Sequence, residues 1–245
     1  MIAQLHIEGG SSAQGWGDET GKGGFAGLLF NYSLAYGQIA GEHRELPCRW
    51  LDIRNSGVQG NFLPSIADSF RQHVLEARGL LLARQRQTLK SIAVFAIGQY
   101  GQRGLGYHGK EKYQIVWRDA FEQLDAICSD YNITPIVLGM PRLAEDTVFV
   151  NGQKPDHDLL QRLWTITAET TSAWDWDASM TFEDIVGNDK PNCMAPDAMH
   201  PNARGHTKVA RYLIGRINEM LDIPDGLVPL PETEGPNVRN LAASQ

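Results

Sequence analysis

The chain has 245 residues, 42% of them hydrophobic and 21% charged, an ordinary balance for a globular protein that buries a real core. A net charge of −7 and a pI near 5.5 lack the basic excess of a nucleic-acid or anionic-membrane binder. Three widely spaced cysteines, Cys48, Cys128 and Cys193, offer no CxxC or zinc-like spacing and are expected as buried free thiols.

In chain order, "AQLHIEGG" (3–10) reads as a strand and "GGFAGLLFNYSLAYG" (23–37) as a buried helix closed by its last glycine. "CRWLDIRNSG" (48–57) alternates Trp50, Asp52 and Arg54 against Leu51 and Ile53, which predicts a second strand. "PSIADSFRQHVLEARGLLLARQRQ" (64–87) has helical spacing, with Arg84, Arg86 and nearby Lys90 expected as a solvated, favourable C-terminus. "SIAVFAIG" (91–98) and "TPIVLGMP" (134–141) are continuous apolar runs, as strands covered on both faces require. Between and after them lie helical stretches at 112–131 and 155–172, a strand expected at "AWDWDAS" (173–179), and an amphipathic helix at 203–221.

Strands alternating with helices predict one α/β domain over residues 1–222, three layers α/β/α around a mostly parallel sheet. Residues 223–245, rich in proline and polar residues, are expected as an extended or partly disordered tail. No apolar run reaches membrane-spanning length and no secretory signal opens the chain, so the expected compartment is the cytoplasm.

Ligands of open parallel sheets bind beyond the carboxyl ends of the strands. Four corners of this kind carry reactive or flexible residues: 9–12 (Gly-Gly-Ser-Ser), 55–57 (Asn-Ser-Gly), 98–101 (Gly-Gln-Tyr-Gly), and "APDAMHPNARGH" before the last helix. In the last, Asp197 and His200 stand three apart. A carboxylate that orients one ring nitrogen leaves the other to act as a base, although an Asp that merely caps the turn is the simpler reading of an isolated pair. Asp197, His200 and His206 do not share a helix face as a metal motif would demand, and residues 21–24 lack the order of a phosphate loop. His206 is expected to be structural. Trp16 fits helix-start packing or a substrate wall equally well, and Tyr107 and His108 are further candidates for such a wall.

Gly-Gly-Ser-Ser-Ala-Gln-Gly at 9–15, "NSGVQG", "IGQYG" and "DAMHPNARGH" resemble, in order, the four blocks of the SGNH (GDSL-type) hydrolases. The resemblance implies a flavodoxin-like fold and a serine esterase with catalytic Ser11, Asp197 and His200, Ser12 being the alternative nucleophile with a poorer register to Gly15. It implies an oxyanion hole from the N–H groups of Ser11 and Gly57. The family's third donor, an asparagine, is missing, and Tyr100 or Gln99 stands in its register. Gly10 replaces the family's aspartate. No metal or organic cofactor is implied. Expected substrates are small-molecule or carbohydrate esters, an O-acetylesterase first, with lipid esters, thioesters or a non-catalytic binding module as alternatives.

Overall fold

The structure, a computed structural model, describes residues 1–84, 86–98, 109–143, 154–173 and 177–232. Strands β1 (Ile2–Gly9), β2 (Leu51–Asn55), β3 (Thr88–Ile97), β4 (Ile133–Gly139) and β5 (Asp177–Thr181) form one sheet in the order β2-β1-β3-β4-β5. Every neighbouring pair is parallel. Parallel neighbours need crossovers, and the described ones are helices: α1 (Ser11–Gln14) and α2 (Gly24–Glu42), α3 (Leu63–Ala83), α4 (Lys110–Tyr131) and α5 (His157–Ala173). After β5 come α6 (Phe182–Val186), a 3₁₀ turn (Gly187–Asn192) and α7 (Ala203–Met220).

Strand side chains alternate between two cores. On one face Leu5 and Ile7 of β1, Val94 of β3 and Leu138 of β4 join Phe25 and Leu29 of α2 and Val209 and Leu213 of α7. On the other, Phe95 and Val137 join Phe70 of α3, Phe121 of α4 and Leu163 of α5. Phe70, Phe95 and Phe121 are fully buried, each contributing roughly 1.5–3 kcal/mol by leaving water. Phe70 and Phe95 also meet edge to face, 5.0 Å between ring centres. The three-layer arrangement expected from the sequence is present, and Cys48, Cys128 and Cys193 are buried free thiols.

Several boundaries differ. Gly37 does not close its helix: α2 continues to Glu42, and a side chain at residue 37 would lie 2.2 Å from the Trp50 ring, so this glycine makes room for an indole. α3 stops at Ala83 with Arg84 as its C-cap, and β3 starts at Thr88, so Lys90 belongs to a strand and its ammonium reaches the carbonyl of Met220. β5 begins at Asp177 and runs to Thr181, later than expected, and residues 174–176 lie outside the described set. In the tail, Ile223 and Val228 are buried in the first core and Arg211 Nη1 donates to the Pro231 carbonyl, so this stretch packs on the domain. Residues 233–245 lie outside the described set.

Candidate active site

In this strand order the chain reverses direction across the sheet between β1 and β3, and such a switch point opens a crevice at the carboxyl ends of the strands. Ser11 stands there, two residues beyond β1. Gly9 pairs with Ala96 of β3, and a side chain at Gly9 would come within 2.6 Å of the Ala96 carbonyl, so the Ser11 corner sits hard against the neighbouring strand. The turn is closed by Gln14 N–H donating to Gly10 O and Trp16 N–H to Ser11 O.

The opposing wall comes from residues 193–202. Ala195 N–H donates to His200 O, Asn202 N–H to Cys193 O, and Met194 bridges Pro201, folding the segment into a tight loop. Asn202 then caps α7: its Oδ1 accepts from Gly205 N–H, while its Nδ2 donates to the carbonyls of Asn192 and Met194. Glu19, from the loop after α1, accepts from Ala203 N–H and ties the two walls together.

Across this crevice Ser11 Oγ and His200 Nε2 are 2.8 Å apart, though the two residues are 189 positions apart in sequence. Asp197 Oδ2 lies 2.6 Å from His200 Nδ1, and its Oδ1 accepts from the N–H groups of Met199 and His200. Burial works against ionisation of Asp197, but the bond from the His200 ring and those two backbone donors outweigh it and hold its carboxyl below the ordinary value. An ionised Asp197 accepts only, so Nδ1 carries the proton, and Nε2 is left to accept from the Ser11 hydroxyl. Ser11 and His200 are both buried. Ser12 is buried beside them and lines the same small pocket.

The indole of Trp16, 45% exposed, stands beside the His200 ring at 6.0 Å between centres. Its backbone is held from behind by His206, whose Nε2 donates to the Trp16 carbonyl while Nδ1 accepts from Phe25 N–H. Both bonds together require a neutral ring, and burial lowers the pKa of His206 accordingly. The next residue, Gly17, has φ +89, and a side chain there would meet the Pro201 carbonyl at 2.2 Å. Among the described residues no group of three or more His, Cys, Asp or Glu is gathered as metal ligands.

The corner after β2 departs from the sequence reading. The N–H of Gly57 is engaged by Asn55 Oδ1 at 3.0 Å, and a side chain at this position would meet Ala13 at 2.8 Å and Gln14 at 2.9 Å. The pocket beside Ser11, with about 420 Å³ of open space, is lined instead by Gly60 and Asn61 from this corner, together with Ala96, Met140 and Met199. The second glycine of "NSGVQG" was the available signal for them. Gln99, Tyr100, Tyr107 and His108 lie outside the described residues.

No protein-family model matches the sequence, and no curated protein matches it. Solved structures do. A lipase/acylhydrolase from Enterococcus faecalis superposes with TM-score 0.55 at 14% identity, covering 94% of this chain and 98% of that one. The psychrotrophic esterase EstA from Pseudoalteromonas sp. gives 0.53 at 14% identity, covering 89% and 98%. Axe2, an acetylxylan esterase from Geobacillus stearothermophilus, gives 0.53 at 14% identity, covering 87% and 93%. The chain has the SGNH-hydrolase fold.

Proposed function

We propose that the protein is a serine hydrolase of carboxylic esters and that its substrates are small O-acyl groups, acetyl above all, carried on carbohydrate. The observation that carries the reaction is the Ser11–His200–Asp197 chain of hydrogen bonds, 2.8 and 2.6 Å long, at the switch point of the sheet. Ser11 Oγ attacks the ester carbonyl carbon as its proton passes to His200 Nε2. The tetrahedral intermediate collapses, the carbon–oxygen bond to the alcohol breaks, and His200 returns the proton to the departing oxygen. Water repeats both steps on the acyl-enzyme. Asp197 keeps the ring in its working tautomer and stabilises the imidazolium. The N–H groups of Ser11 and Gly60 have no other hydrogen-bond acceptor among the described residues and line the pocket where the oxyanion forms.

Two observations support the substrate class. The exposed Trp16 ring offers a flat apolar face of the kind that sugars stack on. The fold is shared with an acetylxylan esterase, although it is shared equally with a lipase/acylhydrolase. Two assays test the reading. A fluorophosphonate should label the protein and fail to label Ser11→Ala; absence of labelling in the wild type rejects the reaction. Turnover of p-nitrophenyl esters should peak at acetyl; a peak at long chains rejects the substrate class in favour of lipid.

A further inference from the structure

Stabilising a tetrahedral oxyanion in acyl transfer takes two or three preorganised donors. Around Ser11 the described donors can be counted. The N–H of Gly57 is held by Asn55, that of Val58 by Gly9 O, and that of Asn61 by Val58 O. The N–H groups of Ser11 and Gly60 are unengaged. Two side-chain donors remain on residues that line the same pocket, the hydroxyl of Ser12 and the carboxamide of Asn61, and only the second stands on the corner opposite the serine turn. The Asn61 carboxamide makes no hydrogen bond to a described residue and is not among the buried polar atoms left without a partner, so its N–H groups are available to a ligand.

The corner that carries Asn61 is fastened to the nucleophile strand. Ser56 N–H donates to Ile7 O at 2.8 Å, Val58 N–H to Gly9 O at 3.0 Å, and Asn55 Nδ2 to Ala13 O at 2.9 Å. A side chain at Gly10 would sit 3.1 Å from the Asn61 carbonyl, tight enough to push the corner back. Gly10 is therefore what lets the Asn61 backbone close up against the turn that carries Ser11. We propose that Asn61 is a catalytic residue that donates from Nδ2 to the oxyanion as the third member of the hole. The absence of a side chain at position 10 and the presence of an amide at position 61 are then two halves of one arrangement.

This proposal rests on the ester-hydrolase reading, and the experiment separates the two. Wild type, Ser11→Ala, Asn61→Ala and the near-isosteric Asn61→Asp are compared on p-nitrophenyl acetate, with thermal melts as the folding control. Asn61→Asp keeps the shape of the residue and removes its N–H donors. Both Asn61 variants should lose about 10- to 1,000-fold in kcat with KM within about threefold, and their fluorophosphonate labelling should slow in parallel. Values of kcat within threefold of wild type in a folded Asn61→Asp overturn the proposal while leaving the hydrolase reading intact. So does a loss seen in Tyr100→Phe or Gln99→Ala but not at Asn61. A wild type that neither turns over nor labels overturns both.

Discussion

The rings of Trp16 and His200 lie 6.0 Å apart with their planes inclined at 42°, so the exposed indole forms a wall beside the imidazole that meets Ser11. A sugar that covered roughly 40 Å² of that apolar face would gain about 1 kcal/mol by removing it from water. Trp16→Ala should accordingly raise KM for an acetylated oligosaccharide about two- to tenfold, with kcat falling less than KM rises. Steady-state kinetics on acetylated xylo-oligosaccharides give the answer, and an unchanged KM removes Trp16 from the substrate wall.

Asp197 accepts from the His200 ring and from two backbone N–H groups. In Asp197→Asn the amide can turn an N–H toward Nδ1, which favours the wrong tautomer and puts a proton on Nε2. A loss in kcat of about 10³–10⁴ is expected, with folding retained. A variant that keeps more than a tenth of wild-type turnover would show that this carboxylate only shapes its loop.

Gly17 has a positive φ, and its missing side chain leaves space for the Pro201 carbonyl and the His200 Cβ. An alanine there is strained in its backbone and must displace the loop that positions the imidazole. Gly17→Ala should lower stability by about 2 kcal/mol or more and reduce kcat as well. Chemical denaturation alongside kinetics checks both effects. Unaltered stability would mean that the 15–24 loop yields without moving His200.

β1 turns Leu5 and Ile7 to one core, but to the other face it turns His6, whose ring meets Phe70 edge on, and Glu8, whose carboxylate meets His73 Nδ1 at 3.1 Å. Burial raises the Glu8 carboxyl to about 7, against the opposing pull of His73 and a hydrogen bond from Ser56. A carboxyl raised in the folded state favours folding below its ordinary value of 4.5, and that advantage disappears as pH climbs through about 7. Between pH 5 and pH 8 the wild type should lose about 3 kcal/mol relative to Glu8→Gln. Parallel stability profiles for the two proteins would show that Glu8 is ionised in the fold throughout.

Much of this architecture is written locally in the chain. Continuous apolar runs such as 91–98 and 134–141 can be satisfied only between two helical layers, and they form β3 and β4 there. Ser11, Asp197 and His200 were singled out by the resemblance of their blocks to those of the SGNH hydrolases, since an isolated Asp–His pair reads more simply as a turn cap, and the structure brings the three side chains together. What escaped the sequence depends on distant partners. Gly37 looks like a helix end until Trp50 is seen packed against it. Gly57 and Gly60 are equivalent on paper. Only the bond from Gly57 to Asn55, and the crowding of Gly57 against Ala13, leave Gly60 to line the pocket. The polar stripe of β1 alternates just as a strand with one solvated face would, and only the docking of α3 over it buries His6 and Glu8.

The separation of 189 positions from Ser11 to His200 has a consequence for biogenesis. A chain emerging from the ribosome presents Ser11 first and His200 almost last, so no early fragment can join the two, however well its first strands pair. Under the proposed reading, activity in refolding should return only once the 193–202 loop has seated against the Ser11 turn, and would serve as a clock for that event.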